Sequence, residues 1–138
     1  MLSRMTRYVV DPEALLQIAS AGLLLHADHQ LVAPNTVRSA ALALLYGQVR
    51  RGELAEDEGL RLHERLTEVK VRLLGDRVSR RTAWRLAREH GWDAIGDAEY
   101  IAVALLQADA LIALDESLLR KAIGIVPVAS IEALVTSG

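Results

Sequence analysis

Three aspartates stand where carboxylates can do chemistry. Asp11 ends the apolar run Tyr8–Val10 and is followed by Pro12, Asp115 follows a second apolar run, Ala110–Leu114, and Asp97 opens the helical stretch 98–106. Each also suits a plainer role, because Asp accepts hydrogen bonds from the unpaired amides at a helix start. Pro12 at a first helical position and Glu13 beside it strengthen that cap reading for Asp11. Carboxylates gathered in one crevice, however, repel one another until a cation neutralises them, and a set of oxygen ligands suits Mg2+ or Mn2+. Such an ion binds a phosphodiester oxygen and lowers the pKa of a bound water. From the residues alone, cap and metal ligand are both open.

The elements that must position these acids alternate in type. Tyr8–Val10 reads as a short buried strand, and 12–21 as a helix with Leu15, Leu16, Ile18 and Ala19 at helical spacing and Gly22 as its stop. Gln30–Ala33 is a second strand ended by Pro34, followed by helices over Asn35–Arg51 and Leu54–Glu68. In Val69–Leu74 the alternation with Lys70 and Arg72 predicts an edge strand. Ser79–His90 reads as a helix capped by Ser79 and stopped by Gly91; a helix over Asp97–Leu106, a strand Ala110–Leu114 and a short helix Glu116–Lys121 follow. A last strand is expected over Ile125–Val128, with a helical turn from Ser130. Such alternation implies a mainly parallel sheet in an α/β domain. Sites in these sheets form beyond the C-terminal strand ends, where the strand order reverses, and Asp11 and Asp115 both fall at such ends.

Composition bounds the rest. At 138 residues, 51% apolar and 25% charged, residues 1–138 read as a single folded domain. Phenylalanine is absent, so Leu, Ala, Val and Ile must build the core, and the absence of cysteine excludes disulfides and thiolate chemistry. A net charge of −2 provides no overall basic field for nucleic acid, so any such contact needs a local patch. No apolar stretch approaches the roughly 20 residues of a membrane span, and the N-terminal stretch has no signal-peptide core. A cytoplasmic protein without a membrane partner is the expectation.

Arg77, Arg81, Arg85 and Arg88 share one helical face, which reads as a solvated outer surface partly paired with Glu89 rather than a phosphate-binding stripe. Trp84 and Trp92 are expected in or beside the core, and His26, His29, His63 and His90 at the surface or at caps. The Leu and Ala faces over 35–51 and 54–68 have surface to spare for a homodimer or a partner groove.

Five stretches in order carry a family resemblance: Tyr8–Leu16, Leu31–Pro34, Arg50–Leu54, Asp97–Ala104 and Ala110–Asp115. Across nearly the whole chain this layout resembles the PIN domain, in particular the VapC-type toxins of bacterial toxin–antitoxin pairs. The resemblance implies a three-layer α/β/α sandwich around a mainly parallel sheet. It also implies a metal-dependent endoribonuclease that cleaves RNA and is held by a cognate antitoxin. By that resemblance Asp11, Asp97 and Asp115 are the ligands of Mg2+ or Mn2+ and the catalytic residues. Two positions depart from the family pattern: Ala40 stands where a Glu is usual, and Ala113 where Thr or Ser is common. Asp93, Glu99 and Glu116 are near enough in sequence to compensate, though each reads first as a surface charge. The departures define a competing expectation, a PIN-fold module with little or no nuclease activity that binds a protein or RNA. A phosphoacceptor domain of the response-regulator kind fits less well, because no lysine follows Ile125–Val128.

Overall fold

The computed structural model describes residues 5–136. Four strands form one parallel sheet in the order β3-β2-β1-β4, with β1 at Thr6–Val10, β2 at His29–Pro34, β3 at Arg72–Leu74 and β4 at Ala110–Ile112. The central register pairs Tyr8 with both Leu31 and Ala110. Strands of a parallel sheet that helices cover on both faces read as continuous apolar runs rather than alternating ones, as β1 and β4 do. Val9, Val10, Leu111 and Ile112 are all buried.

Helix α1 (Pro12–Ala21) leads from β1 to β2, and α2 (Val37–Arg50) and α3 (Glu56–Glu68) lead from β2 to β3. After β3 the chain passes through α4 (Arg77–His90) and α5 (Gly96–Gln107) to β4 on the far side of β1. A right-handed crossover that reverses its direction along the sheet places its helices on the opposite face. Contacts group accordingly, α1 with α2 and α3, and α4 with α5, giving three layers, α/β/α. The switch in direction falls between β1 and β4, and so the two acidic strand ends flank it. Helix α6 (Glu116–Ala122) and a 3-10 turn at Ile131–Val135 complete the fold.

Helix ends follow local chemistry. Gly22 and Gly91 close α1 and α4 in the left-handed conformation, with φ of 62° and 70°, which only glycine adopts without a Cβ penalty. Helix α4 starts two residues before the expected Ser79, because Asp76 is the cap. Its carboxylate accepts from the Ser79 amide at 2.8 Å, while the Ser79 hydroxyl accepts from the Asp76 amide at 3.1 Å, a reciprocal capping box. The expected strand over Ile125–Val128 reduces to one bridge, Leu111 to Val128. Pro127 has no amide hydrogen to extend a ladder, and its carbonyl accepts from Leu111 at 2.9 Å. Edge strand β3 keeps three exposed or half-buried residues, in line with its charge alternation.

One aromatic runs against expectation. Trp92 packs half-buried against the core, whereas Trp84 is 66% exposed. Its position on α4 explains this, since Ser79, Ala83, Leu86 and Ala87 form the buried face and Trp84 lies off it, roughly 115° from its centre at about 100° per residue.

Candidate active site

Asp11 is wholly buried, and its carboxylate joins two elements. Oδ1 caps α1 by accepting from the Ala14 amide at 2.8 Å. Oδ2 accepts from the amides of Leu114 at 3.1 Å and Asp115 at 3.0 Å, fastening the loop after β4 to the end of β1. An ionised carboxylate has about four lone-pair positions, so these three bonds leave roughly one open. Burial pushes the Asp11 carboxyl above its usual 3.8, and the Asp115 charge adds to the rise; the three amides oppose it only in part.

Asp115 likewise caps a helix, its Oδ2 accepting from the Leu118 amide of α6 at 3.0 Å. Cap and site neighbour are therefore not alternatives for Asp11 and Asp115, since the strand ends bring the two carboxylates within each other's field. Glu13 enters the same field: burial raises its carboxyl above 4.5, and the charges of Asp11 and Asp115 raise it further.

Asp97 is not a cap. It sits in the first turn of α5, whose N-cap, Ile95, makes no side-chain cap bond. Its Oδ2 instead takes the Lys121 ammonium at 2.8 Å across α5 and α6. The two side chains are 30% and 26% exposed, so the pair is partly sheltered. Lys121 Nζ also lies 5.6 Å from the ring centroid of Trp92, and His90 stacks on that ring at 4.9 Å. Among the described residues, no three His, Cys, Asp or Glu side chains gather closely enough to hold a metal ion. Asp11 and Asp115 are neighbours, and Lys121 is the charge partner of Asp97.

Tyr100, like Lys121, is a neighbour of these acids that is absent from the candidate ligands above. Tyr100 is 7% exposed, and its hydroxyl is buried with no hydrogen-bond partner among the described residues. Burial raises the phenol above its ordinary value, with smaller contributions from the charges of Asp11, Glu99 and Asp97. The spacing of Asp97 and Tyr100, three apart on one helix, is the signal that would have found it. Lys121 had a weaker signal, its place in the last turn of the helix that Asp115 caps. Of the three acids read first as surface charges, Asp93 and Glu116 are exposed and Glu99 is half-buried. Ala40 is half-buried on α2, and Ala113 is buried just after β4. The histidines divide. His29 is buried, not superficial, edge-on to Tyr8 with Nδ1 at 3.0 Å from the Leu134 carbonyl, while His90 Nδ1 lies 2.9 Å from the Leu86 carbonyl in the last turn of α4.

No family model matches the chain, and no curated protein matches it. One of the solved structures that resemble it in shape is nearly coextensive with it. It is the crystal structure of PAE2754 from Pyrobaculum aerophilum, with a TM-score of 0.67 and 25% identity over 94% of each chain. That likeness supports the three-layer architecture described above. The donor set has its own chemistry: Asp11 and Asp115 offer hard oxygens whose mutual repulsion a cation relieves, and Mg2+ commonly takes one or two carboxylates and keeps waters for its other positions. In that form, though not as a closed cage of three aspartates, the residues fit a divalent ion.

Proposed function

We propose that the chain is a metal-dependent endoribonuclease of the PIN type, the toxin half of a type II toxin–antitoxin pair. The observation that carries this reading is the bond from the Asp115 amide to Asp11 Oδ2 at 3.0 Å, which juxtaposes two acids at the switch point of the sheet. Asp11 and Asp115 would hold Mg2+ or Mn2+, with Asp97 joining them where Lys121 releases it. When bound, such an ion supplies Lewis-acid polarisation of a phosphodiester. The chain's own residues do the rest. Three amides hold the Asp11 carboxylate in one orientation. Lys121 provides a positive charge beside Asp97 for a phosphate oxygen, and the unpartnered Tyr100 hydroxyl is a donor in the same field. A cognate antitoxin, a homodimer and a cytoplasmic location belong to this reading. The test is RNA cleavage with Mg2+ or Mn2+ by the wild type and by Asp11→Asn. Cleavage that requires the ion and is lost in the variant supports it; equal cleavage by both would sink it.

The second reading, a PIN-fold module that binds without cutting, is favoured by the Lys121–Asp97 pair, in which the protein supplies its own cation, and by Ala40 and Ala113. Ala40→Glu discriminates. A large gain of cleavage from an inert parent supports the binding module, and strong cleavage by the parent rejects it.

A further inference from the structure

Helix α4 carries five arginines, Arg77, Arg80, Arg81, Arg85 and Arg88, against one acid, Glu89. All five are exposed, and among the described residues their only ion pair is Arg85 with Glu89 at 3.5 Å. At about 100° per residue, the five fall within an arc of roughly 140°. Trp84, 66% exposed, lies inside that arc with Arg77, Arg81 and Arg88 around it. In a chain of net charge −2, this is a concentrated local patch of positive charge with a flat aromatic surface at its middle. Neither feature contributes to the core, since the buried face of α4 is the opposite one.

An exposed tryptophan costs free energy through its hydration, and unpaired guanidiniums crowd one another. A partner that relieves both must be anionic and must present planar groups. We propose that the outer face of α4 is a docking surface for single-stranded RNA, with phosphates on the arginines and a base stacked on Trp84. Guanidinium contacts and aromatic stacking are the two means by which proteins hold single strands. An acidic peptide would satisfy the arginines but leave the indole without a stacking partner. Beyond the end of α4, Trp92 lies under Lys121, the partner of Asp97, and His90 stacks on it from the other side of the helix. The docking rests on the arginines and Trp84 alone and does not depend on the nuclease reading above.

The experiment is fluorescence anisotropy of labelled oligouridylate with the intact chain in EDTA, where cleavage plays no part. The variants are Trp84→Ala and the double charge reversal Arg81→Glu/Arg88→Glu, each checked for folding by circular dichroism. Both sites are solvent-facing, so both variants should fold. Trp84→Ala is expected to weaken binding by about fivefold or more through the lost stack. The double reversal should weaken it by more than about tenfold and flatten the dependence on salt. Wild-type affinity in both variants overturns the proposal. So does binding of an oligoglutamate peptide in preference to oligouridylate, which would assign the face to an acidic protein. Tighter binding of oligothymidylate than of oligouridylate overturns the choice of RNA. Oligouridylate binding by a wild type that cleaves no RNA with Mg2+ or Mn2+ would refute the nuclease reading alone.

Discussion

Replacing Asp11 by Asn tests how one buried carboxylate holds two elements together. The side chain keeps a single acceptor oxygen, enough to cap α1 through the Ala14 amide. Its NH2 group then faces the amides of Leu114 and Asp115, donor against donor, where Oδ2 had accepted both. These two amides are part-buried, so each one left without an acceptor costs up to about 1–3 kcal/mol. Against this, burial already makes the ionised Asp11 unfavourable, so removing the charge returns part of the loss. We expect a net destabilisation of about 2–4 kcal/mol and a fall in Tm on the order of 10 °C, measured by denaturant and thermal unfolding in EDTA. Asp11→Ser, which also keeps the cap and also loses both ties, should behave alike. The pH dependence has a definite sign. The folded pKa is raised above 3.8, so the folded state keeps the Asp11 proton to higher pH than the unfolded state. The contribution of this group is complete below about pH 4 and declines as pH rises toward the folded value. The gap between wild type and variant should narrow across that window. A loss below about 0.5 kcal/mol, or a gap that widens with pH, would refute the reasoning.

Other outcomes follow from the same geometry. Tyr100→Phe removes a buried hydroxyl that has no partner and should raise stability by up to about 1–2 kcal/mol in chemical denaturation; a loss would show that the hydroxyl is satisfied in the folded chain. Lys121→Met breaks a partly sheltered pair and should cost about 1 kcal/mol or less, while freeing Asp97 to strengthen Mg2+ binding several-fold by calorimetry. Unchanged Mg2+ affinity would show that Lys121 does not compete for the site. Asp76→Ala opens the capping box of α4 and should lower Tm at neutral pH. Its amide bonds hold the Asp76 carboxyl below 3.8, so its contribution is present above that value and lost as pH falls through the folded pKa; the two Tm curves should converge in acid.

Much of this molecule is legible in its sequence, because the relevant forces are local. Apolar runs without alternation announced the buried parallel strands, glycines marked the ends of α1 and α4, and Asp11 and Asp115 each cap the helix that follows them. Strand ends and helix starts depend on residues within one turn, and period and cap chemistry record them. The arginine arc was equally readable, and so was the place of Trp84 within it; the scarcity of aromatics in the chain pointed to the core, while the spacing 81, 84, 85, 88 pointed outward.

Tertiary structure alone decided which charges meet. Lys121 reaches Asp97 across 24 residues, and Asp11 holds amides 103 and 104 positions away. No periodicity encodes such pairings, since they depend on the sheet order that sets β4 beside β1 and α6 beside α5. The same is true of the orphaned hydroxyl of Tyr100, which is apolar packing from one side and an unanswered donor from the other. The sequence determines that acids stand at the strand ends. Packing determines that one of them is locked by amides and another already has a lysine, because burial and charge pairing are properties of the assembled layers rather than of any segment.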